Sequence, residues 1–345
     1  MRSDSVEQMP EVNRQWVLKE RPTGMVEPSN FEFREAEMPA PADGEFLVRN
    51  LYLSLDPAMR TWMTAMRSYV PPVELGEVMR AACVGRVVES KRDGFVPGEL
   101  VVGLFGWQDY ALSDGSGGIP VNKVPDGVPA TMPLGVLGIT SLTAYFGLKE
   151  IGKLQPGETL VVSGAAGATG SVAGQLASRW GSRVIGIAGG PEKCAWLTDE
   201  LGFDAAIDYK SEDVSKRLRE LCPKGLDVFF DNVGGDILEA ALSNLAWRAR
   251  IVLCGAISNY NAEVPRGPRN YMNLLVRRSR MEGFVVFDYF PRTDEAMAEL
   301  VPMVMDGTLR YREDIRDGLE TAPQALVDLY TGANRGKLLV KIADA

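Results

Sequence analysis

The chain has 345 residues, 46% hydrophobic and 24% charged, a balance that suits a globular protein of two domains better than one small core. Its net charge of −9, with no basic run, argues against nucleic acid or an anionic membrane as a partner. Histidine is absent altogether, which removes a His general base, a Ser-His-Asp hydrolase and any His-ligated metal, and leaves acid–base work to Tyr, Lys, a carboxylate, a cofactor or water.

The N-terminal stretch MRSDSVEQMPEVNRQ has no apolar core, so no signal peptide is expected and the chain is assigned to the cytoplasm. Cys83, Cys194, Cys222 and Cys254 are widely spaced, without a CxxC, and are expected to stay reduced. Residues 16–24 (WVLKERPTG) read as a strand and a turn, 45–53 (EFLVRNLYL) as a strand, and Asp56-Pro57 as a turn. Between Cys83 and Ala111, short apolar segments are punctuated by Gly85, Gly94, Pro97-Gly98, Gly103 and Gly106, the rhythm of a compact β barrel. The uncharged segment 128–148 is long enough to cross a bilayer. Its Pro129, Pro133, Gly135, Gly138 and Gly147, and the lack of flanking basic anchors, favour a buried junction between domains.

Beyond Gly135 the pattern alternates strand and helix. Strands are expected at 160–162, 183–188, 205–208, 226–231, 250–254 and 281–286, and helices from near Ser171 and at 192–201, 212–221, 236–245 and 295–305. Repeated βαβ units make a parallel, doubly wound α/β sheet. The last 35 residues mix both signals and are placed back on the first domain, giving 1–133 with 308–345 and, between them, 134–307.

The stretch ETLVVSGAAGATGSVAGQLA (158–177) carries the chemistry. A buried apolar strand leads into Gly164-Ala165-Ala166-Gly167-Ala168-Thr169-Gly170, and Val172, Leu176 and Ala177 then share one helical face. Ala165, Gly167 and Gly170 take the three positions of a dinucleotide fingerprint, for a tight turn, a close backbone approach to pyrophosphate and tight helix–strand packing. The pyrophosphate would sit on the free N–H groups of the helix that follows. No acid ends the next strand to hold a ribose 2′-hydroxyl, whereas Lys193 lies in reach of a 2′-phosphate, so NADPH is favoured over NADH.

Several further stretches join that motif: NLYLSLDPAMR (50–60), PGELVVGLFGWQDYALSD (97–114), LTAYFGL (142–148), AGGPEKCAWL (188–197), LGFDAAIDYK (201–210), DNVGGDILEA (231–240), RIVLCGAISNYN (250–261), GFVV (283–286) and GANRGKLLVK (332–341). Over nearly the whole chain the sequence resembles the zinc-independent medium-chain dehydrogenases/reductases of the prostaglandin and leukotriene reductase type. These are NADPH-dependent alkenal/one double-bond reductases with bacterial curcumin reductase-like members. The resemblance implies a GroES-like β-barrel catalytic domain beside a Rossmann domain, a small α,β-unsaturated carbonyl substrate and a homodimer.

By the same resemblance, Gly167, Ala168, Thr169 and Gly170 cradle the pyrophosphate, and Lys193 and Tyr209 hold the 2′-phosphate, with Gly190 allowing its approach. Asn232 lines the channel near the ribose, and Cys254, Gly255, Ala256, Ile257 and Ser258 wrap the ribose and nicotinamide. Phe284, Val285 and Val286 bond the carboxamide through backbone groups, and Asn334 closes over the cofactor. Tyr260 is the expected catalytic donor to the enolate, with no metal involved. Plainer readings stand beside these: Asn232 as a turn residue, Tyr209 as strand-end core, Asn334 as a loop residue, Cys254 as a small buried side chain, Tyr260 as pocket wall. Many relatives carry Tyr where this chain has Ala58, which should enlarge the pocket, and Trp62, Met63, Met66, Tyr69 and Trp107 are expected either to shape that pocket or to fill core. A zinc-free quinone reductase and a low-turnover NADPH-binding protein remain the alternatives.

Overall fold

The computed structural model describes residues 10–66, 68–116 and 119–344. Residues 1–9, the greater part of the stretch read for a signal peptide, lie outside them. The chain opens with an antiparallel pair, β1 (Val12–Leu18) and β2 (Phe31–Glu37). The second strand left no trace in the sequence pattern because FEFREAE buries only Phe31, so charges fall on both faces. The strands β3 (Phe46–Ser54), β4 (Ala82–Ser90), β5 (Leu100–Leu104), β6 (Tyr110–Ser113) and β7 (Asn122–Lys123) then build an antiparallel sheet with β3 and β4 at its centre. Its core is Phe46, Val48, Leu53, Met59, Val101 and Trp107, all essentially inaccessible to solvent.

The second sheet is wholly parallel: β8 (Thr159–Ser163), β9 (Arg183–Ala188), β10 (Ala205–Asp208), β11 (Leu226–Asp231), β12 (Leu245–Leu253) and β13 (Arg280–Gly283) lie in the order β10-β9-β8-β11-β12-β13. The chain winds outward from β8 in one direction and then from β11 in the other, so the order reverses between those two strands. In open α/β sheets the crevice at such a reversal, outside the carboxyl ends of the strands, is where ligands bind. Leu160, Val161, Val162, Val228, Phe229 and Phe230 are buried on both faces, as a parallel sheet covered by helices requires.

The last strands, β14 (Glu313–Asp317) and β15 (Lys337–Lys341), leave this sheet, and β15 pairs antiparallel with β3, Leu339 opposite Ser54. The two-part α/β fold expected from the sequence is therefore present, with the C-terminus returned to the first sheet. Segment 128–148 holds a 3₁₀ turn (Met132–Leu134) and a helix (Ile139–Phe146) whose Leu142, Ala144 and Phe146 enter the main core beside the parallel sheet. No helix among the described residues is long and apolar enough to cross a membrane.

Element ends differ from the sequence reading in three instructive places. The fingerprint helix runs Ala168–Arg179, three residues ahead of Ser171, since Ala168 and Thr169 already complete its first turn. Strand β12 begins at Leu245, because exposed Trp247 and Arg248, the latter at φ 60°, interrupt its apolar pattern. The strand expected over 281–286 ends at Gly283: Phe284 and Val285 lead into a 3₁₀ segment, Val286–Arg292.

Candidate active site

The crevice between β8 and β11 is built from short-range geometry. Gly164 adopts φ +58°, so the left-handed turn residue stands one position before Ala165, which is fully buried and faces Gly186 of β9. The Gly167 N–H donates to the Gly164 carbonyl at 3.0 Å, and Gly167 caps the helix. A Cβ on Gly170 would lie 2.4 Å from the Gly164 oxygen and 2.8 Å from the Ala165 Cα, a clash with backbone that cannot move aside. The N–H groups opening this helix have no partner within it. Together with the dipole they make a site for pyrophosphate. Gly336, in the C-terminal segment, forms a parallel bridge with Gly167, so that segment lies directly across the cradle. Asn334 sits buried in it, its amide donating to the Gly336 carbonyl at 2.9 Å.

At the end of β9, Gly189 lies flat against the Tyr209 ring, where a Cβ would come within 2.9 Å of the hydroxyl. Gly190 follows at φ +99°, its N–H donating to Asp208 Oδ1 at 2.7 Å. The Lys193 ammonium caps the Gly332 carbonyl at 2.8 Å, tying the helix after β9 to the same C-terminal segment. Burial, then Lys210 and Arg335, depress its pKa, so Lys193 stands in a locally cationic corner. Arg335 is held by Glu192 at 2.8 Å. Lys193, Lys210 and Arg335 gather here with Glu192 and Asp314, and the turn beside them has the form of a dinucleotide cradle. The residues present therefore fit an NADP-type cofactor.

The other end of the crevice is a packed knot of two loops. Asp231 is fully buried and its Oδ1 accepts from Ser163 Oγ (2.7 Å) and from the N–H groups of Val233 and Gly234 (3.0 Å each). Burial raises its pKa, and Oδ2 has no partner. The Asn232 amide donates to the Ser163 carbonyl at 2.7 Å, joining the ends of β8 and β11. The N–H groups of Cys254 and Gly255 donate to the Asp231 carbonyl (2.9 and 3.0 Å), Ile257 to that of Asn232, and the Ser258 hydroxyl to that of Val233 (2.6 Å). Ala256 lies against Gly234. The Cys254 thiol, pushed up to about 12 by burial and then Asp231, stays neutral.

Tyr260 ends the short helix Ile257–Tyr260, and its hydroxyl oxygen accepts from the Ala256 N–H at 3.2 Å. Burial raises its pKa, so the phenol keeps its proton, and the Ala256 contact uses only an oxygen lone pair. Of the five side chains suggested for a pocket wall, Met63 and Trp107 are core, the latter stacked on Phe31 at 5.0 Å. Trp62 is buried with its indole N–H unpartnered, Tyr69 is half exposed and meets the Phe287 ring edge-on, and Met66 is open to solvent. Phe284 turns its ring onto Gly147, Val285 is extended, and Val286 is buried. Asp231, Ser163, Arg60 and Tyr330 escaped the sequence reading, since the contacts that join Asp231 to Ser163 and Arg60 to Asn261 and Tyr330 span long stretches of chain.

Comparison with known proteins follows the same division. A family model described as the N-terminal domain of oxidoreductase matches residues 14–121, and one described as zinc-binding dehydrogenase matches 168–304. The latter name describes the model: this chain has no histidine, and no group of three His, Cys, Asp or Glu that could hold a metal ion occurs among the described residues. The chain is 43% identical to the NADPH-dependent curcumin reductase of Escherichia coli (strain K12), covering 96% of this chain and 97% of that protein. It is 40% identical to prostaglandin reductase 1 of Rattus norvegicus, covering 94% and 98%. The solved structure of CurA in complex with NADPH from Vibrio vulnificus superposes with a TM-score of 0.91 at 43% identity, over 96% of this chain and all of that one. The chain belongs to the zinc-independent medium-chain dehydrogenase/reductase family of the prostaglandin and curcumin reductases.

Proposed function

We propose that the protein reduces the carbon–carbon double bond of α,β-unsaturated ketones and aldehydes with NADPH. The observation that carries this reading is the Tyr260 hydroxyl, whose oxygen accepts from the Ala256 N–H and leaves its proton for a substrate oxygen, on a short helix held against the end of β11 by the Ile257 N–H to the Asn232 carbonyl. Gly167 to Gly170 hold the pyrophosphate on the helix N-terminus, and Lys193 and Tyr209 take the 2′-phosphate beside Gly190. Asn232 and the 254–258 loop shape the ribose and nicotinamide end, Phe284 to Val286 offer backbone groups to the carboxamide, and Asn334 closes the cleft. When bound, the cofactor supplies hydride for the substrate β carbon. Tyr260 then donates a hydrogen bond to the carbonyl oxygen as enolate charge develops there, a contribution of roughly 2.7–4 kcal/mol for one such donor. The α carbon takes its proton from Tyr260 or from water. Ala58, partly buried against the first domain's core, would widen the substrate pocket, and half-exposed Tyr69 would stand at its rim.

Residues 134–307 serve as the nucleotide-binding domain and 1–133 with 308–345 as the catalytic domain. A homodimer through the open edge of β13, with Met272, Leu275 and Val276 exposed on the adjoining helix, is part of the same reading, as is a cytoplasmic setting for four free thiols.

The test is NADPH oxidation with an alkenal, an aryl enone, a curcuminoid and a quinone. Turnover of the enones with a saturated ketone or aldehyde as product is expected. Turnover of the quinone alone would transfer the site to quinone reduction. Tight NADPH binding without turnover of any substrate would leave a binding protein.

A further inference from the structure

Arg60 is a buried cation, 5% exposed, in the short helix Met59–Trp62 of the first domain. Its acceptors are all neutral. The guanidinium donates to the carbonyls of Pro22 (2.9 Å) and Gly24 (3.2 Å) and, through Nε, to Asn261 Oδ1 at 3.1 Å. Its backbone N–H donates to the Tyr330 hydroxyl, which donates in turn to the Pro57 carbonyl, both at 3.0 Å. A charge held from water is costly unless its hydrogen bonds are met, so each of these acceptors matters to the arrangement.

Asn261 belongs to the other half of the molecule. It follows Tyr260 directly, as the C-terminal cap of the Ile257–Tyr260 helix that hangs from β12. A guanidinium has donors only, so the Asn261 amide oxygen must face Arg60. Tyr260 is thereby held at both ends, its hydroxyl by the Ala256 N–H and its backbone, one residue on, by a bond to the opposite domain.

We propose that the Arg60–Asn261 hydrogen bond is a cross-domain latch that positions Tyr260 for donation to the substrate oxygen. Arg60 and Asn261 are positioning residues in this scheme, acting on turnover and not on cofactor binding. The inference rests on Tyr260 being the donor. Loss of the latch lets the helix carrying Tyr260 drift from the first domain, and small misplacements of a catalytic group are expensive.

Arg60→Ala would empty a buried site and orphan two carbonyls together, so the test uses the acceptor. In Asn261→Ala, kcat with an enone is expected to fall about 10-fold, while the NADPH dissociation constant, read by fluorescence titration, stays at the wild-type value. Asn261→Asp keeps an oxygen toward Arg60 and should recover most of the loss. In a Tyr260→Phe background, Asn261→Ala should cost little more, because the two act through one group. Wild-type kcat in Asn261→Ala, with Tyr260→Phe impaired, overturns the latch and leaves the donor standing. An equal Asn261→Ala loss in the Tyr260→Phe background places its effect elsewhere and also overturns it. Unimpaired Tyr260→Phe removes the donor assignment, and the latch falls with it.

Discussion

The two ends of the crevice are made differently. The cradle at Gly164–Gly170 is one unbroken stretch whose shape follows from a left-handed glycine, a missing Cβ and a helix start. The Tyr260 end gathers residues 22–24, 60, 231–234, 254–261 and 330 through hydrogen bonds that cross the molecule. A local device should fail locally and take cofactor binding with it. An assembled one should fail in turnover and spare the cofactor.

The most severe break of the cradle is Gly170→Val. Its Cβ meets backbone at 2.4 Å. Overpacking of this kind costs about 1–3 kcal/mol of stability. Displaced from the helix N-terminus, the pyrophosphate loses charge-assisted bonds of roughly 1.5–3 kcal/mol each. NADPH affinity should drop by at least about 100-fold, read by calorimetry; near-normal affinity would mean that the phosphates bind elsewhere. At the other end, Tyr260→Phe should lower kcat by about 100-fold with unchanged NADPH affinity. A parallel loss of both would erase the contrast between the two regions.

Lys193→Ala sharpens the comparison within the cradle. NADPH affinity should fall by about 10- to 100-fold, the worth of one charge-assisted bond, with NADH affinity nearly unchanged. The preference should also depend on pH. Lys193 is cationic below its pKa, which burial and then its cationic neighbours hold under the ordinary lysine value of about 10.4. The advantage of NADPH therefore declines as pH rises through that lowered value. Competition titrations across alkaline pH that show a constant preference in the wild type would remove Lys193 from the 2′-phosphate.

The smallest effect concerns Asp231, at the junction of the two loops. Burial raises its pKa, so the folded state keeps a proton that the unfolded chain has already released. Stability from this group is present below the ordinary carboxylate value, about 3.9, and is lost as pH rises through the raised one. Asp231→Asn keeps an acceptor for Ser163, Val233 and Gly234 and carries no charge. Its Tm relative to wild type should improve from about pH 4 toward neutrality, by about 2–4 °C for each kcal/mol. A pH-independent Tm difference would show that Asp231 does not titrate on unfolding.

Much of this molecule could be read before its fold was known. The parallel strands are continuous apolar runs bounded by glycines, so β8, β9 and β11 and the helices between them were legible, as was the fingerprint with Lys193 after it. Periodicity failed where burial is slight or interrupted, in β2 and at Trp247-Arg248 of β12. It could not show that Met63 and Trp107 are core while Tyr69 is half exposed, since an aromatic or Met carries the same signal in either place.

The parallel half, the dinucleotide cradle, the preference for a 2′-phosphate and the exclusion of histidine chemistry were legible in the chain alone. Each of these depends on residues adjacent in the chain or on composition. It took the folded structure to show that β15 pairs with β3, that Gly336 lies against Gly167, and that Arg60 meets Asn261 beside Tyr260. Those contacts join residues about 170 to 290 positions apart. They are selected by the packing of two cores against each other, and no local pattern of polarity encodes them.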